Sequence, residues 1–163
     1  MELFDVLDKD RNKLGYTKYR NEVLESNEYS VGVEIWIFNN KKLLMTQRSI
    51  NKSHFFKWEV PGGCAKTGET SLNTLVRELK EEIGISINNF KIIDTLIYKQ
   101  QFVDVYMSDD IINLDDVVLQ KNEVCNIKFV TKDEFLKMAK NNEIVESVYN
   151  RYKVIKDKFK KEW

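Results

Sequence analysis

GGCAKTGETSLNTLVRELKEEIGI, residues Gly62 to Ile85, is the stretch from which the rest of the chain can be read. Counted from Pro61, it holds the only proline and four of the six glycines (Gly62, Gly63, Gly68 and Gly84). Backbone freedom is concentrated where a loop must turn sharply or approach a ligand closely. Behind that loop, Thr70 or Ser71 is placed to cap a helix running to Ile83, with Gly84 as its left-handed stop. On a wheel at about 100° per residue, Leu72, Leu75, Val76, Leu79 and Ile83 share one arc. Glu78, Glu81 and Glu82 share the adjoining one. The spacing predicts a core face beside a face of three carboxylates. Like charges three or four residues apart cost a helix about 0.2–0.5 kcal/mol per pair, which Arg77 offsets only in part. A hard divalent cation relieves such crowding, and Mg²⁺ suits one or two carboxylates combined with phosphate oxygens. The competing reading is a solvated acidic helix face.

Working outward, residues 4–8 read as a short strand followed by a polar turn through Gly15. Tyr29–Phe38 (YSVGVEIWIF) is β-branched and aromatic, with Val31, Val33, Ile35 and Ile37 on one face. Asn39-Asn40-Lys41-Lys42 turns it into a second strand, 43–47, and residues 51–58 form a loop. After the central helix come strands at 91–98 and 102–107, an acidic loop through Asp109, Asp110, Asp115 and Asp116, and a strand at 123–130. Thr131-Lys132-Asp133-Glu134 is a capping box opening a helix to about Lys140. A last helix is expected over about 143–163, with Ile144, Val148, Tyr152, Ile155, Phe159 and Trp163 on one side. Strands and helices in this order indicate an α/β fold with a mixed sheet.

Composition limits what such a chain can do. Its 163 residues carry 26 Lys+Arg against 26 Asp+Glu, so nothing drives the counterion release behind strong nucleic-acid or anionic-membrane binding. The length suits one domain, 1–163, with an N-terminal strand extension over 1–28. No apolar run approaches the roughly 18 residues a membrane span needs. The acidic start (MELFDVLDKD) lacks the apolar segment of a secretory signal, so a cytoplasmic protein is expected. Two cysteines, Cys64 and Cys125, are too few for a disulfide framework.

The spacing in the central stretch is specific. Gly63, five residues, Glu69, seven residues, then Arg77-Glu78-Leu79-Lys80-Glu81-Glu82-Ile83-Gly84-Ile85 resembles the Nudix box, G-x5-E-x7-R-E-U-x-E-E-x-G-U with U aliphatic, at every fixed position. A chance match in a chain of this length is on the order of 10⁻⁸ from average residue frequencies. The resemblance implies an α/β/α sandwich with a mixed sheet and a loop-helix-loop box at 63–85. It also implies hydrolysis of a small-molecule diphosphate linked to another moiety, with Mg²⁺ or Mn²⁺. Carried over by position, it makes Glu78 and Glu82 metal ligands, Glu81 a ligand or base, and the Gly62 carbonyl a further ligand. Arg77 would orient the carboxylates and Glu69 would brace the loop. Homodimers are common among such proteins. The chemistry agrees, since metals neutralise pyrophosphate charge, activate water and support the leaving phosphate.

Outside the box, DVLDKDRNKLG, WIF and RSINKSHFFKWEVPGG are similar to a Nudix subgroup that includes isopentenyl-diphosphate isomerase. This makes Arg48, Lys52 and Trp58 candidates for the rim of the site, against surface charge and core packing as the alternatives. Phe56, with His54 and Phe55, would stack on a base or ring, or plug the core. Glu123 would be the distal base or an outer metal ligand, or a surface residue at a strand end, and the acidic loop offers four aspartates instead. An isomerase would place its cysteine just before the box glycine, where this chain has Gly62. It would also need several histidines, and this chain has only His54. Cys64 therefore reads as a small loop residue. A binding module without catalysis would be expected to lack a box carboxylate, and none is missing. The Lys-rich end (KVIKDKFKKEW) complements the dipole of the last helix.

Overall fold

The computed structural model describes residues 2–163. The chain opens with a two-stranded antiparallel sheet, β1 (Leu3–Leu7) and β2 (Lys13–Tyr19). Phe4, Val6 and Leu7 are buried, whereas β2 is almost wholly exposed. The polar turn expected through Gly15 is therefore cut short at Lys13. KLGYTKY has little apolar periodicity, and its register with β1 (Leu3 opposite Tyr19, Phe4 opposite Lys18) is what makes it a strand.

The main sheet is built on β3 (Ser30–Asn39), which turns through Asn40 and Lys41, both at positive φ, into β4 (Lys42–Arg48). Two short strands, β5 (Trp58–Glu59) and β6 (Gly62–Cys64), precede the helix α1 (Ser71–Ile83). A hairpin of β7 (Phe90–Tyr98) and β8 (Gln101–Ser108) follows, then β9 (Val124–Val130), α2 (Lys132–Lys140) and α3 (Glu146–Ile155). β8 runs parallel to β3, while β6 pairs antiparallel with β3 and β9 with β4. The sheet is mixed.

Alternation along β3 sorts its side chains into two cores. Val33, Ile35 and Ile37 meet Leu75, Leu79 and Ile83 of α1, together with Leu44 and Tyr106. Trp36 and Phe38 face the other way, toward Phe135, Met138, Val148, Tyr152, Ile155 and Phe159. The sheet is thus sandwiched between α1 and the α2–α3 pair, the α/β/α layering expected from the box. Each fully buried aliphatic side chain on α1 contributes about 1.5–3 kcal/mol.

The ends of α1 are set locally. The Thr70 side chain accepts from the Asn73 N–H at 3.1 Å, and Gly84 ends the helix at φ 71°. Ser71 bonds the Tyr106 hydroxyl instead. Two corrections to the wheel follow. Leu72 and Val76 lie nearly half exposed, and the buried stripe takes in Thr74, Glu78 and Glu82 in their place. The helix presses two carboxylates against the protein rather than its full set of aliphatic residues.

The last helix is also shorter than 143–163. Residues 143–145 are extended because they pair with Trp58: its N–H donates to the Glu143 carbonyl at 2.8 Å, and the Val145 N–H donates back at 2.9 Å. After Ile155 the chain tightens into a 3₁₀ turn, Lys156–Phe159, and Trp163 packs on Phe38, Phe135 and Tyr152. Among the described residues no helix is long and apolar enough to cross a membrane.

Candidate active site

Gly62 and Gly63 bring the box loop against two neighbours at once. A Cβ on Gly62 would stand 2.2 Å from the Val33 carbonyl oxygen, and one on Gly63 would stand 2.1 Å from Glu78 Oε1. Only glycine lets β6 pair with β3 while Glu78 of α1 lies directly on the loop.

Arg77 gathers the box carboxylates. Its Nε and Nη2 donate to the two oxygens of Glu69 at 2.6 and 2.9 Å, and its Nη1 to Glu78 at 2.9 Å and Glu81 at 3.0 Å. Nη2 also donates to the Cys64 carbonyl at 3.1 Å. Glu69 further accepts from the Lys66 N–H and the Thr74 hydroxyl, tying loop to helix. Held chiefly by the Arg77 guanidinium, its carboxyl falls to about 2.

Glu78 and Glu82 are one helical turn apart on the buried edge, and Glu81 points outward. Burial raises the Glu78 carboxyl above the usual range. Glu82, only 2% exposed, is pushed up to about 7, first by burial and further by the charges of Glu59 and Glu78, with Lys52 opposing. Lys52 Nζ sits 3.2 Å from Glu82 and 2.9 Å from Glu123. Glu123 precedes β9 and is carried there because the Ser49 N–H donates to its carbonyl and the Ser49 hydroxyl to that of Asn122. Asp109 and Asp110 instead bond Asn88 and Asn89, away from these groups.

A cavity of about 250 Å³ opens beside this cluster. Arg48, Lys52, Gly62 and Gly63 line it, as do Arg20, Glu34, Glu59, Cys64, Tyr98, Gln101, Ser147 and Arg151. Arg48 Nη1 reaches both oxygens of Glu59, at 2.8 and 2.7 Å, and burial raises that carboxyl despite the cation. Arg151 donates to the buried Glu34 at 2.8 and 2.7 Å and lies over the Tyr98 ring. Cys64 faces the cavity, its sulfur 3.3 Å from Gln101 Nε2.

The structure thus brings together Gly62, Glu69, Arg77, Glu78, Glu81, Glu82, Arg48, Lys52 and Glu123. Trp58 and Phe56 are not among them. Trp58 is 7% exposed, within the core and under the Lys128 ammonium, because β5 pairs with β4 and carries it inward. Phe56, 52% exposed, stacks edge-to-face on Phe55 at the surface. Sequence reasoning missed Arg20, Glu34, Glu59, Tyr98 and Arg151. Glu59 stood in the WEVPGG string and could have been found there; the others carry no local signal.

The donor set suits a hard divalent cation: two buried carboxylates and glycine peptide oxygens. Burial raises the pKa of both carboxyls by disfavouring their charged forms, against the charge of Arg77 beside Glu78 and of Lys52 beside Glu82. With the side chains as they stand, no three acidic, thiol or imidazole groups converge on one point among the described residues. Glu78 and Glu82 each face a cation of the protein instead.

A carboxylate-bearing helix seated on a glycine loop, beside a cationic cleft in an α/β/α sandwich, is an architecture for cleaving phosphoric anhydrides. Residues 28–152 match the NUDIX domain, and the chain belongs to the Nudix hydrolases, enzymes acting on phosphoric anhydrides. An uncharacterized Nudix hydrolase of Listeria monocytogenes is 32% identical over 150 residues, 89% of this chain and 89% of that protein. The 8-oxo-dGTP diphosphatase of Escherichia coli is 37% identical over 60 residues, 37% of this chain and 46% of that protein. A Deinococcus radiodurans protein of known crystal structure shares the fold with a TM-score of 0.74, at 19% identity, over 88% of this chain and 92% of that one. Nudix hydrolases generally use a divalent metal and bind small-molecule phosphate substrates.

Proposed function

We propose that the chain hydrolyses a diphosphate joined to a nucleotide or nucleotide-derived moiety, with water attacking phosphorus and Mg²⁺ or Mn²⁺ as cofactor. The observation that carries this reading is the pair of buried carboxylates, Glu78 and Glu82, at the edge of a cleft lined by Arg48, Lys52 and Arg151. Glu78 and Glu82 would hold the cation, with Glu81 and the Gly62 carbonyl as further donors. When bound, the cation neutralises phosphate charge and stabilises the leaving phosphate. Arg77 keeps Glu78 and Glu81 in place and anchors them to the loop through Glu69. Arg48 and Lys52, while paired with Glu59, Glu82 and Glu123, place positive charge on the cleft wall toward the phosphates. Glu123, 41% exposed and beside Lys52, accepts the proton of the attacking water.

The test is a panel of nucleoside triphosphates, nucleotide sugars, ADP-ribose and isoprenoid diphosphates, with Mg²⁺ or Mn²⁺. Products are resolved by ³¹P NMR in ¹⁸O-labelled water. Metal-dependent release of phosphate-containing products with label on one phosphorus is expected. Full turnover in excess chelator would overturn the metal assignment, and no hydrolysis of any panel member would overturn the reading.

A further inference from the structure

The β1–β2 hairpin lies outside the residues matched by the NUDIX domain, yet it is joined to the site at several points. The Leu3 carbonyl accepts from the Thr67 N–H at 2.9 Å and the Asp5 carboxylate from the Gly68 N–H at 3.0 Å, so β1 holds the loop that carries Glu69. At the far end, Arg11 donates to buried Asp104 of β8 at 2.8 Å. At the first of these anchors β2 ends at Tyr19, which pairs with Leu3, and the next residue, Arg20, lines the cleft with Gly62, Gly63, Cys64 and Gln101. Its charge acts on Glu78.

The cations of the cleft differ in how firmly they are held. Arg48 is committed to Glu59, Arg151 to Glu34, and Lys52 to Glu82 and Glu123, with Glu34 and Glu82 fully buried. Breaking a buried ion pair is costly, because it leaves a charge buried without its partner. Arg20 is 54% exposed and pairs with Glu2, itself half exposed and already shared with Lys66. Such a surface pair contributes little, since water screens it and both side chains lose freedom in forming it. Arg20 is therefore the cleft guanidinium most readily given to an incoming anion. Its planar fork matches two phosphate oxygens at once.

We propose that Arg20 is a substrate-binding residue that grips a phosphate of the diphosphate opposite the box helix, so that the N-terminal hairpin completes the site. This rests on the diphosphate reading above. The full-length chain is compared as wild type, Arg20→Met, Arg20→Lys and Glu2→Gln. Affinity for methylenediphosphonate is measured by calorimetry with Mg²⁺, beside KM and kcat on whichever diphosphate is hydrolysed. Loss of one charge-assisted, bidentate contact predicts a roughly 10–100-fold rise in Kd and KM for Arg20→Met, with kcat within about 3-fold. Arg20→Lys recovers part of the affinity, and all variants keep the wild-type Tm. Glu2→Gln leaves KM within about 2-fold, because it frees Arg20 rather than removing it. Wild-type affinity and KM in Arg20→Met, with wild-type binding intact, overturns the proposal alone. An equal loss in Glu2→Gln and Arg20→Met assigns the hairpin a purely structural role and also overturns it. Wild-type protein that neither binds the analogue nor cleaves any diphosphate refutes the functional reading, and this proposal with it.

Discussion

Replacing Glu82 by glutamine in metal-free protein should change stability by an amount set by pH. In the fold, burial first, and then the charges of Glu59 and Glu78, push this carboxyl up to about 7 from an ordinary 4.5, with Lys52 pulling the other way. Between those values the folded chain keeps a proton that the unfolded chain has released. The unfolding free energy therefore falls as pH rises through that window. The stability tied to this group is whole below pH 4.5 and lost as pH passes 7. At 1.36 kcal/mol per pH unit the full loss is about 3 kcal/mol, undiminished by solvent because Glu82 is only 2% exposed. Glutamine keeps the shape, still accepts from Lys52 and does not titrate. The variant should match wild type near pH 4.5 and exceed it by up to about 3 kcal/mol at pH 8. That corresponds to a Tm higher by about 6–12 °C for a chain of this length. Glu59 and Glu78 titrate in both proteins, so the difference reports Glu82 together with its coupling to those two carboxyls. Urea melts in excess chelator from pH 4.5 to 8 measure it, and kcat with Mg²⁺ restored should fall by roughly 10³ or more. A difference that is flat with pH, or a variant less stable than wild type at pH 8, would refute the reasoning.

Gly63→Ala should cut kcat by at least about 10²-fold and weaken metal affinity in titration calorimetry, because the new methyl would stand 2.1 Å from Glu78 Oε1 and drive that carboxylate off the loop. Wild-type turnover in that variant would mean that Glu78 need not lie there. Glu123→Gln should lower kcat by roughly 10²–10⁴ with little change in KM, the range for a lost proton acceptor; a normal rate removes the residue from the mechanism. Phe56→Ala should leave KM unchanged and shift stability by less than about 0.5 kcal/mol, since the ring is exposed and away from the cleft. A raised KM there would place the Phe56 ring on the substrate.

What the sequence by itself determined lies within a few residues along the chain. The helix α1 is legible because its cap Thr70, its stop Gly84 and its carboxylates at i and i+4 are fixed by local geometry. The box residues come together for the same reason, since one short loop and one helix carry them all. β3 is legible because its β-branched and aromatic run needs burial on both faces, and the hairpin to β4 follows from the turn. Only the tertiary structure decided the rest. β2 exists because β1 pairs with it, and the last helix starts at Glu146 because Trp58 claims residues 143–145 as an extended partner. Trp58 reads equally as cleft wall or core until β5 joins β4. Glu123 stood among several acids until the Ser49 turn drew it to Lys52. The cleft cations depend on contacts as distant as Arg151 with Glu34, which are 117 residues apart. Periodicity and capping act over about four residues, so they carry no information on which distant charges a folded sheet will set face to face.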